Sequence, residues 1–440
     1  MRDLLIFGIV LWGLSKVFSK AHVGVYLWTW ISLMNPHRLT WGYAFSFPFA
    51  MVIGVATFVG LLTSRQPRMR IWTPETAVLA LLIFWVTCTT FLFAIDPEGA
   101  FQEWDRYMKI QTFIFLSILL ISDKAKLDGL IWIFVLSLGY YGTKGGLFTI
   151  LTGGHSRVWG PDGSFIGGNN EIALAMLMTV PLMRYLHLQE TRVWFKRGLL
   201  AAMVLTMVAI IGTQSRGALL GLLAIGFFLW LKSPKKLGMA IIVVAVGMMI
   251  LFLMPQEWWD RMNTIHDYDQ DASAQGRINA WWVATRVAMA TFTGGGANMF
   301  TPAVFRLYAP NPDDFHDVHS IYFEMLGEQG FPGITLFLLL GFLFWRRCSL
   351  LIRTYRHDPE RRWAADLGAM LQVAGIGYAV AGAFLGLSYY DYYYDLVAAA
   401  VIAWQVAAKD KAAAVAVAVA AEAEPPPQHR HPHARRKFSP

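Results

Sequence analysis

The sequence predicts an all-α, polytopic membrane protein with about 12 transmembrane helices and one long, partly helical loop. Of its 440 residues, 56% are hydrophobic and only 15% are charged, whereas a soluble domain carries about 25% charged residues. The hydrophobic residues are gathered in runs, such as residues 44–63 and 237–254. Each run is close to the ~20 residues that cross a bilayer as a helix. The basic residues are concentrated in alternate loops between these runs.

Hydropathy places membrane segments along most of the chain, which forms one predicted transmembrane domain, residues 1–408. The first segment, residues 4–34, crosses once, or twice if the stretch SKAH at residues 19–22 forms a turn. The total is then twelve or thirteen. The predicted segments are residues 4–34, 44–63, 75–95, 107–121, 128–151, 168–187, 198–213, 217–231, 237–254, 319–345, 367–387 and 394–408.

The loops between the segments fall into two sets that differ in charge. One set contains most of the lysines and arginines, including Arg346, Arg347 and Arg353. The other set includes the long segment 255–318, in which eight Asp and Glu residues accompany four Arg residues. Under the positive-inside rule, the basic loops and both termini are cytoplasmic and residues 255–318 form a loop on the opposite face. Residues 409–440, which end in a proline-rich and basic stretch, predict a disordered cytoplasmic tail.

A short polar connection, TQSRG at residues 213–217, separates two predicted membrane segments. It places Arg216 at the level of the outer headgroups, with Gln214 and Ser215 in the same turn. An arginine at this level often only extends its charge to the interface. Charged side chains at the ends of membrane segments are costly, however, and are therefore candidates for function. The pattern alone leaves both interpretations of Arg216 open.

The stretch GRINAWWVATRVAMA, residues 276–290, predicts a helix with tryptophans and valines along one apolar surface. Arg277 lies near its N-terminal end. An arginine beside the N–H groups of a helix N-terminus makes an anion site, because the guanidinium and the helix dipole both favour phosphate. The alternative is an interfacial helix whose arginine contacts lipid headgroups.

Two histidines, His316 and His319, precede an apolar segment that contains Glu324 and Glu328. A zinc site would need about three protein ligands, and the HDVH spacing differs from the helical H-E-x-x-H arrangement. Glu324 is also poorly spaced to join the histidines on one helix face, so we predict no metal site. A single histidine with a pKa of about 6.5 suits proton removal from a hydroxyl. His319 is the better candidate because it begins the segment.

Two further polar residues are candidates for substrate binding. Lys144, which has glycines beside it, either helps to hold an anion or extends to the headgroups, and Asn170 opens the segment NNEIALAMLM. Together with Arg216, Arg277 and His319, they predict a cationic cavity at the outer leaflet. Such a cavity suits a polyisoprenyl pyrophosphate leaving group and an acceptor hydroxyl. A lipid transporter or flippase would have a similar basic cavity.

The stretch TQSRGALLGLL, the arginine in the long loop and the stretch HSIYFEMLGEQGFPGITLFLLL resemble the bacterial O-antigen ligase and polymerase superfamily. The sharpest pattern is a histidine, a small polar residue and an aromatic residue, followed by E-x-G-x-x-G. Its members here are His319, Ser320, Tyr322, Glu328, Gly330 and Gly333. The resemblance covers roughly residues 160–390. Residues 32–50 are similar to a branch described as O-glycosylation ligases, and within the superfamily the chain is most similar to O-antigen ligases.

The resemblance implies a GT-C-type, metal-independent, inverting glycosyltransferase without a cofactor. Such an enzyme transfers O-antigen glycan from undecaprenyl pyrophosphate to a sugar hydroxyl of lipid A–core, on the periplasmic face of the bacterial inner membrane. By their positions in the family patterns, Arg216 and Arg277 bind the pyrophosphate and His319 is the general base. The substrate-binding candidates are Arg216, Arg277, Gln214, His316, Lys144, Asn170 and Tyr322.

Other activities share part of this chemistry. An O-antigen polymerase would use a second lipid-linked glycan as acceptor, and a protein O-oligosaccharyltransferase would use Ser or Thr. A lipid-linked glycan flippase belongs to a different class, and an intramembrane metalloprotease is the least favoured alternative. The expected partners are the lipid-linked donor, lipid A–core and membrane lipids, with no nucleic acid. Glu324 receives no role.

Overall fold

The computed structural model of the protein describes residues 2–232 and 272–423, together with isolated positions between them. Within these ranges the regular structure is helical and no strand occurs, so the predicted all-α class is confirmed. The helices are α1 (Arg2–Val17), α2 (His22–Met34), α3 (Phe49–Thr63), α4 (Pro74–Cys88), α5 (Pro97–Leu120), α6 (Lys124–Leu151), α7 (Asn169–Gln189), α8 (Val193–Gly212), α9 (Arg216–Lys232), α10 (Ala272–Thr291), α11 (Pro302–Tyr308), α12 (Ile321–Tyr355), α13 (Arg362–Ala381) and α14 (Asp391–Ala423). A π-helical segment, Thr89–Phe93, extends α4.

The first predicted segment is a helical hairpin. A turn at residues 18–21 separates α1 from α2, and the two helices run antiparallel with Gly13 packed against Leu27. Arg2 therefore lies beside the chain that follows α2, where its guanidinium donates a hydrogen bond to Leu39 O at 3.0 Å. The expectation that both termini share one side of the membrane depended on a single crossing here, and the hairpin removes that basis.

Five helices in the described ranges are long and apolar enough to cross a membrane, fewer than the count of about 12 that hydropathy predicted. They are Pro74–Phe93, Asn169–Gln189, Val193–Gly212, Ile321–Tyr355 and Arg362–Phe384. Other predicted segments are helical but are short or charged. Helix α3 has only 15 residues, and the N-terminal part of α5 contains Glu98, Glu103, Asp105, Arg106 and Lys109. The predicted segment 237–254 lies outside the described residues, apart from isolated positions.

Helix α7 forms the centre of the bundle because it is buried on every side. The successive residues Met176, Leu177 and Met178 have no exposed surface, as expected of a helix surrounded by other helices. Helices α6, α8, α9 and α13 pack around it. Successive helices alternate in direction, so α7, α9, α12 and α14 begin at one end of the bundle, where α8 and α13 finish. We call this the site end.

The opposite end of the bundle, which we call the basic end, is held by contacts between distant parts of the chain. The Arg347 guanidinium donates two hydrogen bonds of 2.9 Å to the two carboxylate oxygens of Glu75. Only 11% of the arginine side chain and 4% of the glutamate side chain are exposed, so this ion pair is withdrawn from water. Lys409 Nζ donates to Ser122 O at 3.3 Å, which attaches α14 to the start of α6.

The last helix continues beyond the predicted end of the transmembrane domain. Helix α14 runs to Ala423, so residues 409–423, which the sequence placed in a disordered tail, are helical. The rest of the predicted tail, residues 424–440, lies outside the described residues.

Helix α12 is interrupted at Gly330, where φ is 62° and ψ is −164°. The turn that follows α10 fills the gap, since Gly295 N donates to Gly327 O at 2.9 Å and Gly296 N donates to Glu328 O at 2.8 Å. On the other side, the indole of Trp85 donates to Gln329 O at 2.8 Å. Carbonyl groups that a continuous helix would pair internally are thus paired with other segments, as backbone polar groups within a membrane must be.

Candidate functional site

A small polar cavity of about 50 Å³ opens at the site end, and we call it the cationic cavity. It contains two guanidinium groups, and none of the described residues that line it is acidic. Its lining residues are Asn170, Gln214, Ser215, Arg216, Gly217, Ala218, Arg277, Ala381, Phe384 and Leu385. Two arginines on separate helices that face one small space can bind a polyanion such as pyrophosphate.

The turn before α9 has a constrained conformation. Gln214 has φ of 58°, in the left-handed region that residues other than glycine seldom occupy. Its side chain is held on both sides, because Arg157 Nε donates to Gln214 Oε1 and Gln214 Nε2 donates to Gly154 O, each at 3.1 Å. Ser215 Oγ accepts a hydrogen bond of 3.2 Å from Ala218 N, as an N-capping residue does.

These contacts place Arg216 in the first turn of α9. Its guanidinium charge and the positive end of the helix dipole act at the same place, and both favour an anion. Asn169, the first residue of α7, donates from Nδ2 to Thr213 O at 2.9 Å. This bond ties the start of α7 to the turn and brings Asn170 to the cavity wall.

Helix α10 carries Arg277 and holds the segment that leads to His319. Asn279 Nδ2 donates to Asn311 O and to Asp314 O, both at 2.8 Å. The indole of Trp281 donates to Val318 O at 2.9 Å. These bonds fix residues 311–318 against the helix, so Arg277 and His319 keep a defined spatial relationship.

His316 lies against α10 beside Arg277. A Cβ atom on Gly276 would lie 2.3 Å from His316 Nδ1, so only glycine at this position leaves space for the imidazole ring. The same nitrogen is 2.8 Å from Asp314 Oδ1. His316 therefore contacts both Asp314 in its own loop and Gly276 in α10.

His319 precedes α12 in a strained conformation, with φ of 40°. Strained backbone is concentrated at functional sites, where the surrounding structure enforces it. Burial lowers the pKa of the His319 imidazole below its ordinary value of 6.5; Asp317 opposes this shift, while Arg277 and His316 add to it. At neutral pH the imidazole is therefore mainly uncharged and able to accept a proton.

Four sequence candidates are not among the residues that line the cationic cavity: His316, His319, Tyr322 and Lys144. The Tyr322 hydroxyl donates to Ala379 O at 2.9 Å, and its ring lines a separate apolar cavity of about 220 Å³. Lys144 is exposed on the surface of α6 and is not among the residues that line the cationic cavity. Of the remaining candidates, Asn170, Gln214, Arg216 and Arg277 line it.

A second and larger cavity, of about 420 Å³, lies at the same end, and we call it the acidic cavity. The sequence did not predict it, because the residues that line it are distant in the chain. The acidic residues in two stretches before predicted segments, DPEGAFQEWDR and NPDDFHDVH, were the sequence feature that could have indicated this cavity. Its lining residues are Glu103, Arg106, Phe165, Asn298, Phe300, Phe315, Asp317, Glu324, Glu328, Gly386, Leu387 and Tyr389.

The two glutamates of α12 differ in how many of their carboxylate oxygens accept hydrogen bonds. Glu328 uses both, accepting from Asn298 N at 2.8 Å and from the Tyr389 hydroxyl at 2.7 Å. Glu324 accepts through Oε2 from Ser388 N at 2.8 Å. In the described ranges, no group of three or more His, Cys, Asp or Glu residues is arranged to hold a metal ion.

Comparison with known proteins matches two regions of the chain to families. Residues 1–191 match a family of unknown function, DUF5935, and residues 201–338 match the family described as O-Antigen ligase. No curated protein matches the chain. The second region contains Gln214, Arg216, Arg277 and His319, whereas Asn170 lies in the first. Residues 201–338 are therefore similar to the O-antigen ligase family, and this match supports a relationship to the O-antigen ligase and polymerase superfamily of membrane glycosyltransferases.

Proposed function

We propose that the protein transfers a glycan from undecaprenyl pyrophosphate to a sugar hydroxyl of lipid A–core, with inversion at the anomeric carbon and without a metal ion. The proposal assigns a GT-C-type enzyme of the bacterial inner membrane whose site end faces the periplasm. One observation supports it most. Arg216 and Arg277, from separate helices, line one cavity, and the positive charge of Arg277 is close enough to His319 to lower the pKa of its imidazole.

The donor half of the reaction needs positive charge at the leaving group. As the bond from the anomeric carbon to the pyrophosphate oxygen breaks, its electron pair passes to the pyrophosphate. Two guanidiniums and the N-terminus of α9 stabilise this growing negative charge, and they do so more strongly where water is excluded. Gln214 and Asn170 supply further hydrogen-bonding groups beside the arginines.

The acceptor half needs a base. The uncharged imidazole of His319 takes the proton from the acceptor hydroxyl while the oxygen forms its new bond to the anomeric carbon. Attack on the face opposite to the pyrophosphate inverts that carbon. General bases of this kind contribute about 10²- to 10⁴-fold to a rate.

A reconstituted reaction tests the proposal. The purified chain in lipid nanodiscs is supplied with an undecaprenyl-pyrophosphate-linked glycan. The alternative acceptors are lipid A–core, a second lipid-linked glycan and a serine-containing peptide. Transfer to lipid A–core supports the proposal; transfer only to the second glycan or to the peptide replaces it with a polymerase or a protein glycosyltransferase. No transfer, with movement of the donor between leaflets of a vesicle, replaces it with a flippase.

A further inference from the structure

The acidic cavity and the cationic cavity lie on either side of one short segment. Ala381, Phe384 and Leu385 line the cationic cavity, and Gly386 and Leu387, the next residues, line the acidic one. His319 belongs to the boundary as well. It interacts electrostatically with Arg277 of the first cavity and with Asp317 of the second.

This arrangement matches what an inverting transfer requires. If the pyrophosphate occupies the cationic cavity, the hydroxyl must reach the anomeric carbon from the other side, with its proton directed to His319. The acidic cavity is a neighbouring space, since its wall includes Asp317, whose Oδ2 lies 3.6 Å from His319 Nδ1. Its volume of about 420 Å³ lies within the range of about 300–1,000 Å³ found for small-molecule sites.

The walls of the acidic cavity combine carboxyl groups with aromatic rings. Four carboxyl groups, from Glu103, Asp317, Glu324 and Glu328, surround one guanidinium, that of Arg106. Carboxylate oxygens accept hydrogen bonds from hydroxyl or ammonium groups. Three phenylalanines, Phe165, Phe300 and Phe315, supply apolar surface for the C–H faces of a sugar ring.

A glycine keeps the space between two of these carboxyl groups open. A Cβ atom on Gly386 would lie 3.3 Å from Glu324 Oε1 and 3.7 Å from Asp317 Oδ2. The Glu324 oxygen that faces Gly386 is the one that does not accept from Ser388 N. Arg106, the one cationic residue among the described residues that line this cavity, lies over the ring of Phe165, with Cζ 3.3 Å from the ring centre.

We propose that the acidic cavity binds the terminal sugar of the acceptor, and that this sugar is neutral or carries an amine rather than a phosphate. The inference rests on the proposed function and names its acceptor class. A phosphorylated sugar would bring like charges together beside Asp317 and Glu103, which is unfavourable. Glu324 and Glu103 then select the acceptor, while Glu328, whose oxygens are both occupied, holds the wall in place.

The test compares acceptors and cavity variants in the reconstituted reaction. Wild-type protein is given lipid-anchored acceptors that end in a neutral hexose, an amino sugar or a phosphorylated hexose. Glu324→Gln and Gly386→Val are compared with Asp313→Asn, which alters an exposed carboxylate in the loop before α12, outside the cavity. We expect neutral and amino acceptors to be used in preference to the phosphorylated one. Glu324→Gln should raise the acceptor KM by about tenfold, the cost of a weakened hydrogen bond. Gly386→Val should raise it by a similar factor, because the added side chain fills the space beside Glu324 Oε1.

The donor side separates this inference from the proposed function. Donor binding, measured with radiolabelled undecaprenyl pyrophosphate, should be the same in wild type, Glu324→Gln and Gly386→Val, which also shows that the variants are folded. Preference for the phosphorylated acceptor, or an unchanged acceptor KM in both variants, would overturn the inference and leave glycosyl transfer intact. If the wild type transferred glycan to none of the three acceptors, the proposed function would be overturned instead.

Discussion

The carboxylate of Asp317 contacts both the backbone before His319 and the His319 ring. Asp317 Oδ1 accepts a hydrogen bond of 2.8 Å from Val318 N, and Asp317 Oδ2 lies 3.6 Å from His319 Nδ1. A carboxylate on this side favours a proton on Nδ1 and leaves Nε2 as the basic nitrogen. The strained φ at His319 and the position of Asp317 together direct the ring.

This relationship predicts a change in the pH dependence of transfer. Asp317 raises the pKa of His319, against the lowering by burial, Arg277 and His316. Asp317→Asn removes that opposing effect, so the His319 pKa should fall further. Because the uncharged imidazole is the active form in the proposed mechanism, the acidic limb of the rate profile should move to lower pH in this variant. The measurement is the transfer rate between pH 4.5 and 8 (a range of about 3 units around the ordinary pKa), with Asp313→Asn as the control. A limb that stays in place or moves to higher pH would contradict the role of Asp317.

Removal of the proposed general base, His319, should lower the transfer rate more than Asp317→Asn does. His319→Ala should lower the transfer rate by about 10²-fold or more, while donor binding is retained because the arginines remain. His316→Ala, in the same loop, should change the rate much less. The comparison is made from initial rates at saturating donor, together with direct donor binding. Equal losses in the two variants would indicate that the loop, rather than the base, had been disturbed.

The arginines of the cationic cavity should govern donor affinity. Arg277→Ala should weaken binding of undecaprenyl pyrophosphate by about 10- to 100-fold, the usual cost of losing a hydrogen bond between charged groups. Arg277→Lys should recover only part of this affinity, since an ammonium lacks the planar fork of a guanidinium. Arg286 provides the control on the same helix: it is exposed and donates to Tyr308 O at 2.9 Å. If Arg286→Ala weakened binding as much as Arg277→Ala, the cavity would not be the donor site.

The break in α12 should tolerate only glycine. Alanine at residue 330 would need the unfavourable φ of 62°, and its Cβ would lie 2.1 Å from Phe292 O. We expect Gly330→Ala to destabilise the fold by more than about 2 kcal/mol. Gly198→Ala is the control, because no atom lies within 4 Å of the added Cβ, and it should be neutral or stabilising by up to about 1 kcal/mol. Thermal exposure of the buried thiol of Cys348 to a reactive fluorophore measures the difference. Equal melting temperatures for the two variants would show that the break adapts.

The buried ion pair at the basic end should be sensitive to loss of one partner. Arg347→Met leaves the Glu75 carboxylate buried without its partner and should cost about 3–5 kcal/mol. Replacing both residues, as in Glu75→Gln with Arg347→Met, should cost less than the single change. Retention of monodisperse protein after heating in detergent is measured for Arg347→Met, Glu75→Gln and the double variant. Additive effects in the double variant would show that the two side chains are not coupled.

Sequence reasoning located the helices well because hydropathy and charge are local properties. It also grouped Asn170, Gln214, Arg216 and Arg277 at one end, since loops that alternate in charge assign residues to sides of a membrane. The count of about 12 crossings stays a prediction, because five of the described helices are long and apolar enough to cross a membrane and residues 237–254 lie largely outside the described residues. The pattern around Lys144 could not show which surface of α6 it would occupy. The acidic cavity depends on Glu103 and Tyr389, which are brought together only by packing between distant helices.

The helix break also bears on how the two family regions depend on each other. The carbonyl of Gln329, inside the O-antigen ligase region, accepts its hydrogen bond from Trp85, inside the region of unknown function. Ile95 of that first region likewise donates from its backbone to Gly295 O at 2.8 Å. If residues 1–191 were replaced by an unrelated sequence, the carbonyl groups of Gln329 and Gly295 would lose these donors. The first 191 residues therefore supply hydrogen bonds that the region 201–338 needs. Exchange of residues 1–191 between homologues should succeed only when the replacement keeps the tryptophan and places a backbone N–H beside Gly295 O.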